Sequence, residues 1–448
     1  MIRRGYNRLP IPALALLGLA WMATGCGRSG QPVAPVARTN SASTASGTRP
    51  VSAAGDYPTG QIIWCALDPT NEDELETQFA LSPVPVGRVG RGVLSTFAAG
   101  KDPAALAAEM VADARVAWAE PNQYAETAES RGHSFAFDDG FDDRSGYVDQ
   151  FAAARVGLSG AHTLSRGRGT LVAVLDTGVN PDHPLLASHL VAGYDFVDED
   201  TDPRELPDGI DSDGDGLIDE ALGHGSHVTG IVALVAPEAK IMPLRVLDND
   251  GRGTAYAIAR AIDYAREHHA DVINLSLGML VDDHLVSEAI SRAHAEDIVV
   301  VASAGNWGAE WPEEYPAENE PTVAIAASGA DSRPTAFTSY GSQIALCAPG
   351  QGIRSAYWNS NTALWSGTSM SAPWVSGGAA LLIAVNPTWP RTRVLGRLRE
   401  TATPLDPTVP DATAKFGAGI LNLAAALGPV IPGDPAPSDP PILRSPRH

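Results

Sequence analysis

Between residues 147 and 428 the chain alternates short apolar runs with amphipathic stretches, and this alternation restricts its possible folds more than any other feature. The largely apolar runs fall at 170–175, 240–247, 271–277, 298–303 and 322–327. Each has the length of one strand and is bounded by turn-forming residues. Amphipathic helices are expected between some of them, at 254–267 and 285–295. Strands alternating with helices argue for an α/β fold, a parallel sheet covered by helices on both faces. Right-handed crossovers then bring the strand ends to one rim, where α/β sites form.

The rest of the chain divides by composition. Residues 1–26 read as an export signal: Arg3, Arg4 and Arg8 precede an apolar stretch at 11–22. Ala23-Thr24-Gly25-Cys26 follows and resembles a bacterial lipoprotein processing site. Lipid on Cys26 would anchor the exported protein to a membrane without spanning it; plain secretion is the alternative. Residues 27–55 are rich in Ser, Thr, Ala, Gly and Pro and read as a flexible tether. Residues 56–129 form a small α+β unit, with a strand at 61–67, a helix from the Asp102 cap and Pro103 to about 114, and a strand at 116–119. An acidic connector, expected to be exposed, occupies 130–146, and a Pro-rich tail occupies 429–448. Three cysteines, Cys26, Cys65 and Cys347, cannot form a disulfide framework.

Three small-residue motifs carry chemistry: Leu175-Asp176-Thr177-Gly178, His224-Gly225-Ser226-His227 and Gly367-Thr368-Ser369-Met370-Ser371. Asp176 closes a strand and so belongs to the rim. His224 opens a segment whose small residues let a helix start close to other backbone. Ser369 precedes an apolar, Gly- and Ala-rich stretch at 374–385 that must be a buried helix, so the Ser369 N–H is one of its unpaired first-turn donors. Alone, these read as a turn aspartate, a structural histidine and a serine cap. Together they suit attack by an alcohol on a peptide carbonyl. The Ser369 hydroxyl needs an adjacent base, His224 takes and returns its proton, and Asp176 fixes the His224 tautomer. His224 and His227 are three residues apart, but no third ligand and no intervening Glu suggest zinc.

The order Asp, His, Ser is the one subtilisin uses. The wider pattern resembles the subtilisin family (subtilases) of serine proteases. It includes Val272-Ile273-Asn274-Leu275-Ser276-Leu277-Gly278, Ala304-Gly305-Asn306, Ala348-Pro349-Gly350 and Phe416-Gly417-Ala418-Gly419-Ile420-Leu421-Asn422. The resemblance implies a subtilisin-like sheet and an exported endopeptidase that acts on proteins or peptides through an acyl-enzyme. It implies that Asn306 donates to the oxyanion beside the Ser369 N–H; loss of one such donor in subtilisin itself costs roughly a hundred- to a thousandfold. It implies that Ser276, Leu277 and Gly278 pair with substrate as a strand, with Gly253-Thr254 as the opposing edge. Trp307 falls close to the primary specificity pocket and suggests an apolar wall, hence large hydrophobic or aromatic residues before the cut bond. Val116-Ala117-Trp118-Ala119-Glu120-Pro121-Asn122 resembles the end of the family's prodomain, so 56–129 would assist folding of the parallel-sheet domain and block the cleft until cut away between about 125 and 146. The competing reading is a surface-anchored binding protein on an inactive protease fold.

The net charge of −22 argues against a nucleic-acid partner and for divalent cations. Twelve acidic residues lie between Asp195 and Glu220, against one base, Arg204. Within them, Asp211-Ser212-Asp213-Gly214-Asp215-Gly216 has the alternating carboxylates and following glycine of a calcium loop. Leu222 stands where an EF-hand ends in Glu, so a shorter loop is expected: Asp211, Asp213 and Asp215, closed by Asp219 or Glu220. A structural calcium there would order the loop carrying His224.

Overall fold

The computed structural model describes residues 57–429 except 86–87, 133 and 311–313. The export signal with Cys26, the tether and the tail beyond residue 429 lie outside the described residues. Seven strands, every pairing parallel, form the central sheet. Their order across the sheet is Ile344–Pro349, Val323–Ser328, Val299–Ser303, Val272–Leu275, Leu171–Asp176, Lys240–Arg245 and Tyr194–Asp195. All five apolar runs are strands of this sheet. The two edge strands were not foreseen: Tyr194–Asp195 has only two residues, and periodicity needs more.

Alternate side chains of each strand enter two cores, which explains why the runs are apolar throughout. Val172 and Val174 face the helices His224–Val235 and Ala372–Val385. Ala173 and Leu175 face Ala255–Glu267 and His284–Ala295. Each fully buried Val or Leu contributes roughly 1.5–3 kcal/mol. Thr254 and Asp283 cap the latter helices, accepting from Ala257 N (3.3 Å) and Val286 N (3.0 Å). The apolar stretch Thr368–Val385 is long enough to cross a membrane, but 83% of it is buried inside the protein. It starts as a single 3₁₀ turn, Thr368–Met370, before the α-helix at Ala372. Pro373 fits the first helical turn, where its missing N–H costs nothing. The strand expected over 271–277 ends at Leu275, which frees Ser276 to Gly278 for the rim.

The upstream unit is a four-stranded antiparallel sheet ordered Ser82–Pro83, Val93–Thr96, Gln61–Ala66, Val116–Pro121. Its helices are Glu72–Phe79 and Pro103–Val111, and Asp102 caps the second by accepting from Ala105 N at 3.0 Å. Ile62, Trp64, Leu75, Leu106 and Met110 form its own core. It grips the large sheet domain at two helix N-termini. The Glu120 carboxylate accepts from His284 N and Leu285 N, each at 3.1 Å, and Asn122 Oδ1 accepts from Tyr256 N at 3.0 Å. Both acceptors satisfy amides that helices leave unpaired. The connector is exposed, as Phe137 and Phe141 show, and also anchored: Phe137–Asp138 pairs with Thr362–Trp365, and Asp139 pairs with Arg354 at 3.0 Å.

Candidate active site

Asp176 is the last residue of its strand, and His224 is the first of its helix, after Gly223 in the left-handed region (φ 91°). The two come together because the helix start lies against the Asp176 turn: a Cβ on Gly225 would meet Gly178 O at 2.1 Å. His224 Nδ1 then sits 2.6 Å from Asp176 Oδ1, with both residues buried. Burial alone would lower the His224 pKa, but the carboxylates of Asp176 and Glu129 outweigh it and hold the imidazole at about 10. His227 differs. Burial pushes it down to about 3, and its Nε2 lies between the carbonyl oxygens of Ile353 and Ala363 (3.0 and 3.2 Å), which makes it a neutral structural donor.

Ser369 and Asn306 meet His224 around one buried carboxylate, that of Glu129, which is 1% exposed. Glu129 Oε2 accepts from Ser369 Oγ at 2.5 Å and lies 3.1 Å from His224 Nε2. Its Oε1 accepts from Asn306 Nδ2 at 3.0 Å and from Ser369 N at 3.4 Å. Asn306 Oδ1 accepts from Thr368 N (2.9 Å) and Thr368 Oγ1 (3.0 Å), which fixes the amide so that Nδ2 faces Glu129. Burial pushes the Glu129 carboxyl up, but His224, Ser369 and Asn306 together hold it below its ordinary value.

A strand of the chain itself lies in the adjoining cleft. Tyr124–Glu126 pairs antiparallel with Arg252–Thr254. On its other side Glu126 and Gly278 exchange two backbone bonds, at 3.0 and 2.9 Å. Continued for two residues, this register sets position 128 opposite Ser276, whose carbonyl oxygen is 3.3 Å from Ser369 Oγ. The chain leaves the strand path there and turns into the short helix Ala128–Gly132. It therefore presents the Glu129 side chain to Ser369 instead of a peptide carbonyl. Leu277 is buried, and Trp307 is 42% exposed. The Trp307 indole N–H donates to Glu314 Oε2 at 2.9 Å, so this wall has a polar side.

Three acids at the site escaped the sequence reading: Glu129, Glu205 and Glu314. Glu205 is buried behind the Asp176–His224 pair. It accepts from Thr177 Oγ1, from Ser226 Oγ and from Gly225 N (3.1 Å), tying the two motifs together. No local pattern marks any of them out, and a tertiary approach alone gives each its meaning.

In the acidic loop, Asp211, Asp213 and Asp215 bring oxygens within 4.8 Å of one another. Asp219 does not join them. Its backbone is left-handed (φ 53°), and its carboxylate caps the amides of Asp208 and Gly209, each at 3.1 Å. Glu220 feels the same charges: burial, then Asp215, Asp213 and Asp250, push it up to about 8. Asp250 is buried, and its Oδ1 has no hydrogen-bond partner among the described residues. Crowded oxygen ligands of one sign fit a hard divalent cation.

Comparison with known proteins agrees with this geometry. The Subtilase family model matches residues 167–419. Thermitase of Thermoactinomyces vulgaris is 39% identical over 243 residues, 52% of this chain and 81% of thermitase. Subtilisin BL of Lederbergia lenta is 33% identical over 283 residues, 61% of this chain and 96% of that protein. The crystal structure of fervidolysin from Fervidobacterium pennivorans, a keratinolytic enzyme related to subtilisin, superposes with a TM-score of 0.70 at 24% identity. That match covers 85% of this chain and 63% of fervidolysin, and it speaks for the fold alone. With the family model spanning over half of its residues, the chain belongs to the subtilase family and is a subtilisin-like serine peptidase.

Proposed function

We propose that this peptidase is an exported endopeptidase made as a zymogen, with Ser369 as nucleophile, His224 as general base and acid, and Asp176 as the group that orients His224. The observation that carries the reading is the position of the Glu129 carboxylate, which touches Ser369 Oγ, Ser369 N, Asn306 Nδ2 and the neighbourhood of His224 Nε2 at once. An acyl group bound in its place receives the same contacts. Ser369 Oγ attacks the peptide carbonyl carbon as its proton passes to His224 Nε2. The carbonyl π pair becomes an oxyanion held by Asn306 Nδ2 and Ser369 N. Collapse expels the amine, which takes the proton from His224 and leaves an ester on Ser369. Water, deprotonated by His224, then cleaves the ester in the same manner. Asp176 holds the Nδ1 proton and stabilises the imidazolium throughout.

In the same reading, residues 56–129 are the inhibitory prodomain, Glu129 keeps the site closed, and cleavage within 125–146 opens it. Calcium bound by Asp211, Asp213, Asp215, Glu220 and Asp250 would steady the loop before His224. The signal at 1–26 directs export, with Cys26 as the candidate lipid anchor. Processed protein is expected to hydrolyse peptides, and Ser369→Ala to lose that activity while keeping its circular dichroism spectrum. Undiminished hydrolysis by Ser369→Ala would exclude the assignment.

A further inference from the structure

We propose that Glu314 makes this enzyme select a basic residue, Arg or Lys, immediately before the bond it cuts; the inference rests on the proposed role of Ser369. The strand register sets the acyl-side residue opposite Ser276, beside Ser369 Oγ. The side chain of that residue must enter the gap between the segment 276–278 and the segment carrying Gly305, Asn306 and Trp307. Two glycines open this gap, and the Glu314 carboxylate occupies the space they leave. A Cβ on Gly278 would lie 1.6 Å from Glu314 Oε1, and one on Gly305 would lie 3.1 Å from Glu314 Oε2.

The carboxylate is fixed there. Tyr315, the next residue, exchanges backbone bonds with Met279 at 2.7 and 2.9 Å, locking the segment beside the 276–279 edge. Trp307 Nε1 holds Oε2 from the other wall at 2.9 Å. Glu314 is 2% exposed. A large apolar side chain pushed into this gap meets a buried acid and offers it no hydrogen bond. An acidic side chain adds repulsion. A guanidinium or ammonium at the end of an apolar stem instead lies along the Trp307 face and reaches the carboxylate with charge-assisted hydrogen bonds. The expectation of large hydrophobic or aromatic residues, drawn from Trp307 alone, is thereby revised, because the tryptophan's polar edge serves a buried acid.

The test uses processed enzyme and fluorogenic peptides that differ only in the residue before the cut bond: Arg, Lys, Phe, Leu or Glu. Wild type is expected to give its highest kcat/KM with Arg and Lys and its lowest with Glu. Glu314→Gln keeps the shape and an acceptor for Trp307. It is expected to lose about thirtyfold or more on Arg and Lys, and to hold or gain on Phe and Leu. Active-site titration with a fluorophosphonate counts the competent serines in each preparation. Titratable wild type that favours Phe or Leu over Arg and Lys overturns the assignment of Glu314, as does an unchanged preference in titratable Glu314→Gln. Wild type that cannot be titrated overturns the protease reading itself. Should Glu314→Gln not fold, the wild-type ranking alone decides.

Discussion

Glu129→Gln is the substitution that asks most of the closed state. It preserves the outline of the side chain and removes its charge opposite an imidazole held at about 10. Breaking a buried ion pair by removing one partner typically costs about 3–5 kcal/mol. Asp176 still faces the same ring at 2.6 Å, so the lower end applies, about 3 kcal/mol or roughly a hundredfold. The assay is the rate at which a fluorophosphonate labels the uncleaved, full-mass chain. Glu129→Gln should label about a hundred times faster than wild type. The pH dependence follows from the two shifts. Glu129 is held below its ordinary 4.5, so its contribution is complete above that value and is lost as the pH falls through the depressed pKa. His224 is raised from 6.5, so its contribution is complete below 6.5 and is lost as the pH rises through about 10. The ratio of variant to wild-type labelling should therefore peak between pH 4.5 and 6.5 and shrink on either side. Equal rates for the two uncleaved chains across that window would refute the reasoning.

Two further outcomes are expected. Asn306→Ala should lower kcat roughly a hundred- to a thousandfold with little change in KM; because Asn306 also holds Thr368, unfolding temperatures must be compared alongside. Calcium at a hundred times its Kd should stabilise the wild type by about 2.7 kcal/mol, seen as a rise in Tm of about 2–4 °C that chelation reverses, and Asp250→Asn should abolish that rise.

The sheet was legible because burial on both faces makes each strand apolar throughout, and five runs carried that signal. The edge strand Tyr194–Asp195 was not, being too short to have a period. Asp176, His224 and Ser369 were legible because close approach of backbone at a strand end or helix start demands small neighbours, and such demands leave a local trace such as Gly225. Glu129, Glu205 and Glu314 leave none. Their positions depend on a helix in the cleft, a loop folded behind the rim and a segment paired with Met279. In the acidic loop, spacing singled out Asp211, Asp213 and Asp215, whose carboxylate oxygens lie within 4.8 Å of one another. It could not show that Asp219, at a left-handed turn, spends its carboxylate on the amides of Asp208 and Gly209. The connector's acidity pointed to exposure, which Phe137 and Phe141 show, while its pairing with Thr362–Trp365 is a backbone matter that composition does not encode.

The central claim is that the Ser369 oxygen is the attacking atom. Mass spectrometry of processed wild-type enzyme after fluorophosphonate treatment locates the adduct. The account predicts a single adduct, on the peptide containing Ser369, formed in step with loss of peptide hydrolysis. An adduct on another residue, or full inactivation with Ser369 unmodified, would contradict it.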